Sequence, residues 1–258
     1  MRKIRKKRGI VGGVWIAVII LLFAILAKNF FAEEKLSITA SESNEYDTNA
    51  AYNITESQSI SITEASAPME ILDNSSKADV LILVNKNHKL PDDYKANLTK
   101  IENVKVNEML LDDLKEMRTA VKKEKYYLYI ATAHRTKAEQ EQIFNNIAAG
   151  FVKNGNSQNV AAEKAKQAAA LPGYSEHETG LAIDFSLNGN ADKQAEMWDW
   201  LSKNAYKYGF ILRYPEGKEN ITGYNYEPWH YRYVGKQHAR TIYEQSLVLE
   251  EYLNILNQ

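Results

Sequence analysis

Hydrophobic and polar positions divide the chain into three stretches with different patterns. Residues 10–27 are uncharged and mostly apolar, and a helix of that length would reach roughly 27 Å at about 1.5 Å per residue, close to the thickness of a bilayer core. Residues 33–75 show no sustained apolar period. From residue 76 to the C-terminus, helical and strand-like patterns alternate, which predicts a single α+β domain.

The first stretch predicts a transmembrane anchor over residues 10–31, preceded by a cytoplasmic basic tail at residues 1–9. Six of the seven residues from Arg2 to Arg8 are basic, and such a flank favours the cytoplasmic side. A cleaved signal peptide shares the charged start and the apolar core. Its small-residue cleavage pattern is poor here, because a cut after Ala32 would leave Phe30 at the third position back. We therefore expect an uncleaved, single-pass anchor, with the rest of the chain outside.

The second stretch, residues 32–75, predicts a flexible acidic stalk rich in serine and threonine. From residue 33 to residue 75 there are nine acids, one lysine and no glycine. Such a composition cannot bury enough apolar surface to offset the entropy of ordering the chain. We expect a spacer that holds residues 76–258 away from the membrane.

Local patterns predict the elements of this last domain. Helical spacing of the apolar residues predicts a helix over Glu108–Lys123, and a capping box opens another at Thr136. The remaining predicted elements are helices at 160–170 and 193–206 and strands at 79–84, 127–133, 181–186 and 229–234.

Composition and charge narrow the chemistry. The chain has no cysteine, which excludes disulfides, cysteine nucleophiles and thiolate metal sites, so any metal must be bound by His, Asp or Glu. Beyond residue 31 there are 25 basic and 33 acidic residues, a net charge of −8. This argues against a nucleic-acid partner, for which a clustered basic face is expected.

Two histidines lie near carboxylates at useful spacing. In the predicted strand from Leu181, Asp184 alternates away from the apolar face, and Gly180 permits a tight turn that could bring His177 beside it. Such a pair supplies two of the three protein ligands of an open zinc site.

His230 is the candidate for the third ligand, and Glu227 lies three residues before it. In a straight strand these two side chains would face opposite ways, but Pro228 makes a bend plausible. A carboxylate beside a metal-bound water can act as general base.

Arg135 lies at a strand-to-helix junction and could neutralise an oxyanion, with Gln140 one turn into the helix. Taken singly, each of these residues is more often an ordinary structural or solvated group.

No serine has a lysine three positions later, and the H-E-x-x-H, G-x-S-x-G and phosphate-loop motifs are absent from the sequence. Hydrolysis, if present, must therefore be metal-assisted.

Together these motifs resemble a known family. The pattern S-x-H-x-x-G-x-A-x-D at Ser175–Asp184, followed by E-P-W-H at Glu227–His230, resembles the LAS group of zinc peptidoglycan peptidases, and within it the VanY-type D-alanyl-D-alanine carboxypeptidases. The resemblance extends to Leu83–Tyr94 and to the pair Arg135 and Gln140. It implies a small antiparallel sheet flanked by helices.

The resemblance also implies roles for individual residues. His177, Asp184 and His230 would bind one zinc ion, Glu227 would be the catalytic base, and Arg135 would stabilise the oxyanion or orient the substrate. Gln140 and Ser175 match positions that help to hold the peptide end. One departure is visible, because the usual glycine and aromatic residue before the arginine are replaced by Ala133 and His134.

The implied reaction is removal of the terminal D-Ala from peptidoglycan stem peptides by a monomer at the wall side of a bacterial cytoplasmic membrane. In some members of the family this activity contributes to glycopeptide resistance. The residues leave open an L,D-carboxypeptidase, a D-Ala-D-Ala dipeptidase or a stem endopeptidase, because spacing does not show the shape of the pocket. A non-catalytic wall-binding module is the alternative of a different class.

Overall fold

The structure is a computed structural model, and it describes residues 80–186 and 191–258. The predicted basic tail, anchor and stalk at residues 1–9, 10–31 and 32–75 lie outside these ranges. Within the two ranges, every helix is too short or too polar to cross a bilayer.

The described residues form an α+β fold, as predicted, but with two small antiparallel sheets where one was expected. A hairpin joins β1 (Leu98–Ile101) to β2 (Val104–Asn107), and the central sheet contains β3 (Tyr129–Thr132), β4 (Ala182–Ser186), β5 (Phe210–Leu212) and β6 (His230–Tyr233). The strand order of the central sheet is β3-β4-β6-β5, with every neighbouring pair antiparallel.

Helices precede, separate and follow the strands of the central sheet in the described part of the chain. They are α1 (Leu111–Lys123), α2 (Lys137–Lys153), α3 (Gln158–Ala168), α4 (Ala191–Asn204), α5 (Glu219–Thr222), α6 (Lys236–Glu244) and α7 (Leu249–Leu256). The α1 prediction is confirmed, since Leu114, Met117 and Val121 are fully buried, although residues 108–110 form a turn of 3₁₀ helix before it.

The hydrophobic core of the domain contains one face of the central sheet together with the buried faces of α1, α4, α6 and α7. Ile183 and Phe185 of β4 are fully buried and belong to the same hydrophobic cluster as the buried face of α1. Asp184, between them, points to the opposite face, because successive side chains of a strand alternate. This face carries the polar groups of the candidate site.

The strand predicted at Asp79–Val84 is wrong for the described residues 80–84, which form no strand. Val80 and Val84 are buried, as the apolar run suggested. The carbonyl groups of Val80 and Ile82, however, accept hydrogen bonds from Arg232 at 3.0 and 2.8 Å instead of joining a ladder. Nη2 of Arg232 thus supplies the hydrogen bonds that these backbone carbonyls would otherwise need from a neighbouring strand.

Candidate metal centre

The register between β4 and β6 brings the first two site residues together. Asp184 lies directly opposite His230 in this antiparallel pair, and directly opposite residues place their side chains on the same face of the sheet. Oδ1 of Asp184 lies 2.9 Å from Nδ1 of His230. Residues 46 positions apart in the chain are therefore neighbours because of strand pairing alone.

The third residue, His177, reaches the pair from the turn that precedes β4. It belongs to a short 3₁₀ helix, residues 176–179, that ends at Gly180 with φ +72°. A Cβ at position 180 would lie 2.8 Å from Leu98 and 3.0 Å from the backbone nitrogen of Asn107, so only glycine fits this turn. Nε2 of His177 lies 3.4 Å from Oδ2 of Asp184, and the predicted role of Gly180 is confirmed.

One ligand atom from each of His177, Asp184 and His230 lies within 4.8 Å of the other two. The outer nitrogen of each ring is held in place: Nδ1 of His177 donates to the carbonyl of Ala133 at 2.8 Å, and Nε2 of His230 lies 3.3 Å from Oε2 of Glu176. The inner nitrogens are left for a metal, as is usual where an outer partner fixes the tautomer. Two imidazoles and one carboxylate fit a zinc site with an open fourth position.

Glu227 lies at the edge of this group, as the predicted bend requires. The backbone N–H of His230 donates to the Glu227 carbonyl at 3.1 Å, which closes a turn around Pro228. Oε2 of Glu227 comes within 3.9 Å of Nδ1 of His230. Burial raises the pKa of Glu227 to about 7, so its carboxyl group is suited to exchanging protons near neutral pH.

The three clustered groups have different affinities for protons. Burial lowers the pKa of His177 to about 4, and the nearby Arg135 charge adds to the effect. Burial opposes ionisation of Asp184, but the two histidines outweigh it and lower its pKa. Burial also disfavours a charged His230, but hydrogen bonds to Asp184 and Glu176 raise its pKa to about 9. Without a metal, only His230 of these three carries an extra proton at neutral pH.

Metal binding at this site should therefore release at least one proton. At a pH of about 8, His177 is neutral and both Asp184 and Glu227 are ionised, so the proton displaced is the one on Nδ1 of His230. Titration calorimetry of zinc into the metal-free protein, in buffers of different ionisation enthalpy, should give at least one proton per zinc, and a second where water on the ion ionises. Release of none would contradict this assignment of protonation states.

Arg135 lies where it was predicted, between β3 and α2. The capping box is present, with Thr136 and Glu139 bonded reciprocally. The backbone N–H of Arg135 donates to the His177 carbonyl at 3.2 Å, and Nε of its guanidinium is buried without a hydrogen-bond partner among the described residues. A cavity of about 240 Å³ opens against this side chain and is also lined by His134, Lys137 and Glu178, among others.

Gln140 and Ser175 are both buried, but neither contacts the three clustered residues through a hydrogen bond found in the described structure. Nε2 of Gln140 donates to the carbonyl of Ala170 at 2.7 Å, whereas its Oε1 is buried with no partner among the described residues. Gln140 thus has an acceptor to offer to a bound molecule. The carbonyl of Ser175 accepts from the backbone of Glu178, which shapes the turn that carries His177.

Glu176 has contacts at the site that were not predicted from the sequence. Its carboxylate bonds His230, Arg213 and Arg232, and all four side chains are buried. Its position next to His177 was visible in the sequence, but its partners lie 37 to 56 residues away, so no local pattern indicated them.

Comparison with known proteins agrees with this geometry. A family model described as VanY, D-alanyl-D-alanine carboxypeptidase, matches residues 103–236, a range that contains the whole site. The chain belongs to the VanY family.

Individual VanY relatives share both sequence and structure with the chain. A D-alanyl-D-alanine carboxypeptidase of Enterococcus faecalis is 38% identical over 175 residues, which cover 67% of this chain and 65% of the relative. A crystal structure of a mutant vancomycin-resistance D,D-pentapeptidase VanY in complex with Zn(II) is 38% identical, with a TM-score of 0.65, and the match covers 68% of this chain and 99% of that one. The LD-carboxypeptidase LdcB is 40% identical, with a TM-score of 0.59, over 68% of this chain and 86% of that one.

Proposed function

We propose that this VanY-family protein is a zinc-dependent D-alanyl-D-alanine carboxypeptidase that removes the C-terminal D-Ala from peptidoglycan stem peptides. The observation that carries the proposal is the convergence of His177, Asp184 and His230 within 4.8 Å, with the Glu227 carboxylate 3.9 Å from one of them. The description of the family and the Zn(II) bound to a structural relative support it.

In this proposal one zinc ion is held by Nε2 of His177, a carboxylate oxygen of Asp184 and Nδ1 of His230. When bound, the ion supplies Lewis acidity toward the scissile carbonyl and makes water more acidic. The chain's own contribution begins with ligand geometry, since the carbonyl of Ala133 holds Nδ1 of His177 and so aims its Nε2 inward.

Glu227 is proposed to carry the proton from the attacking water to the leaving group. As a carboxylate it accepts the proton of the attacking water, and as a carboxylic acid it donates that proton to the nitrogen of the departing D-Ala. In the metal-free site burial raises the pKa of Glu227 to about 7, and a bound cation would favour the carboxylate, which is the form that accepts the proton of water. Its place beside His230, without being one of the three clustered ligands, fits a base better than a fourth ligand.

Arg135 is proposed to stabilise the negative charge that develops on the carbonyl oxygen of the substrate. Its guanidinium carries a buried Nε with no partner among the described residues, and a donor left free in this way can be used by a substrate oxygen. Gln140, with its free buried acceptor, and Ser175 are assigned to holding the peptide end. The cavity against Arg135 gives the substrate room on that side.

The location and assembly of the enzyme are further parts of the proposal. The basic start and apolar run of residues 1–31 support a single-pass anchor in a bacterial cytoplasmic membrane, with the catalytic domain on the cell-wall side. There the enzyme would act as a monomer on stem peptides. Shortening the pentapeptide would remove the terminus that glycopeptide antibiotics recognise.

An L,D-carboxypeptidase is the second candidate, because LdcB is as similar in sequence as the VanY structure is. His134, which lines the cavity beside Arg135, stands where relatives usually carry an aromatic residue and could alter the preference for the terminal residue. A D-Ala-D-Ala dipeptidase or a stem endopeptidase would use the same polar groups on another bond. A wall-binding module would need neither the base nor an open metal position.

Synthetic stem peptides separate these activities. Incubation of the zinc-loaded protein with the pentapeptide ending in D-Ala-D-Ala should release a single D-Ala, detected by mass spectrometry, and leave the tetrapeptide intact. Cleavage of the tetrapeptide alone would establish the L,D activity instead, and release of the D-Ala-D-Ala dipeptide would establish a dipeptidase. Binding of the peptides without any cleavage would contradict the enzymatic proposal.

A further inference from the structure

Glu176 is a buried carboxylate that none of the proposed catalytic steps uses. Its side chain is only 1% exposed, and a charge removed from water to this degree costs several kcal/mol unless partners compensate for it. The residue lies directly before the proposed ligand His177, yet it points toward the other histidine.

The two oxygens of Glu176 have different partners. Oε1 accepts hydrogen bonds from Nε of Arg213 at 2.7 Å and from Nη1 of Arg232 at 2.9 Å. Oε2 lies 3.3 Å from Nε2 of His230. One oxygen therefore anchors the carboxylate, and the other is directed at the imidazole.

The arginines are themselves fixed by further partners. Arg213 donates two hydrogen bonds to Glu250, at 2.9 and 2.6 Å, in the bidentate arrangement that guanidinium groups favour. Arg232 donates to the backbone carbonyls of Val80 and Ile82. Two arginines and two glutamates make the cluster electrically neutral. Glu176 is therefore held in place without an uncompensated charge.

This arrangement determines which nitrogen of His230 carries a proton once a metal is bound. A carboxylate can only accept hydrogen bonds, so the nitrogen that faces Glu176 must be the donor, Nε2–H. A neutral imidazole has one N–H, and Nδ1 then carries a lone pair. Nδ1 is the nitrogen that faces Asp184, at 2.9 Å.

We propose that Glu176 is a positioning residue of the metal centre: it holds Nε2–H of His230 and so directs an unprotonated Nδ1 toward the ion. The proposal rests on the proposed zinc site. Anchoring by Arg213 and Arg232 keeps the carboxylate at the required place and angle. Glu176 takes no part in proton transfer to or from the substrate.

The variant Glu176→Gln tests the positioning role of Glu176, because it replaces the hydrogen-bond acceptor that faces Nε2 of His230 with a donor. The amide oxygen is expected to stay with the two arginine donors, which leaves the NH₂ group facing Nε2 of His230. Because NH₂ donates, it favours the tautomer with the proton on Nδ1, which a metal must displace. Zinc affinity, measured by competition with a chromogenic chelator, should fall by about 10- to 100-fold. The absorption spectrum of the cobalt(II)-loaded protein should also change.

Glu250→Gln is the matched control. It removes one negative charge from the same cluster and contacts Arg213 and Asn85, but not His230. Both variants should lower the free energy of unfolding of the metal-free protein, whereas the control should keep zinc affinity within about twofold of wild type, as expected of a residue outside the ligand contacts. Equal zinc affinity in the two variants would overturn the proposal.

A double variant covers the possibility that Glu176→Gln fails to fold. Glu176→Gln with Arg213→Gln removes one charge of each sign, so the cluster stays neutral. Its zinc affinity should be as low as expected for the single variant, with the same altered cobalt spectrum. Wild-type affinity in the double variant would overturn the positioning role. A wild-type full chain that binds no zinc would instead disprove the metal site itself, so the two failures are distinguishable.

Discussion

Replacing Glu227 with glutamine is expected to lower kcat by about 10³-fold, in the middle of the range for loss of a general acid–base group. Glutamine has nearly the shape of glutamate but cannot take a proton from water or return it to the leaving amine. KM should change little, because the side chain is assigned to proton transfer and not to binding. The measurement is steady-state release of D-Ala from the pentapeptide.

Zinc content distinguishes this role from that of a ligand. The Glu227→Gln protein should keep one zinc per chain by elemental analysis, since His177, Asp184 and His230 are unchanged. Glu216→Gln, an exposed carboxylate in the preceding loop, serves as control and should retain wild-type kcat. Unchanged turnover in Glu227→Gln would remove the residue from the mechanism, and loss of zinc would make it a ligand.

Asp184→Asn is expected to have the other large effect, loss of both zinc and activity. The carboxylate bridges the two imidazoles, with Oδ1 2.9 Å from His230 and Oδ2 3.4 Å from His177. An amide provides no negative charge, and its NH₂ would donate toward one of the nitrogens that the ion needs. With several kcal/mol of Lewis-acid stabilisation lost, kcat/KM at equal added zinc should fall by at least about 10³-fold.

Asp112→Asn is the control for this change, because Asp112 is an exposed residue of α1 that pairs with Lys115. It should bind zinc and cleave the pentapeptide like the wild type. Circular dichroism should show that both variants retain their secondary structure. An Asp184→Asn protein with full zinc content and full turnover would show that the carboxylate is not part of the metal centre.

Elements governed by local sequence were predicted well. The buried face of α1 follows from apolar spacing, and the start of α2 follows from the reciprocal bonds of Thr136 and Glu139. The bend at Pro228, which brings Glu227 toward His230, also depends on neighbouring residues only. In each case the interactions that decide the structure lie within a few positions of one another.

Long-range partners explain what was missed. The segment at residues 80–84 has the composition of a buried strand, but an arginine about 150 residues away satisfies its carbonyl groups. The β1–β2 hairpin was not predicted, because its strands of four residues are too short for a clear alternation. From its sequence neighbours Glu176 is expected to be a polar loop residue. The two arginines that stabilise its charge inside the domain come close to it only in the folded chain.

Crystals of the zinc-loaded protein, with data collected on both sides of the zinc absorption edge, would locate the ion. We expect one strong anomalous peak in the domain, bonded to Nε2 of His177, a carboxylate oxygen of Asp184 and Nδ1 of His230, with Glu227 beside it but not bonded. A peak at other residues, or none at these three, would show that these residues do not form the zinc site.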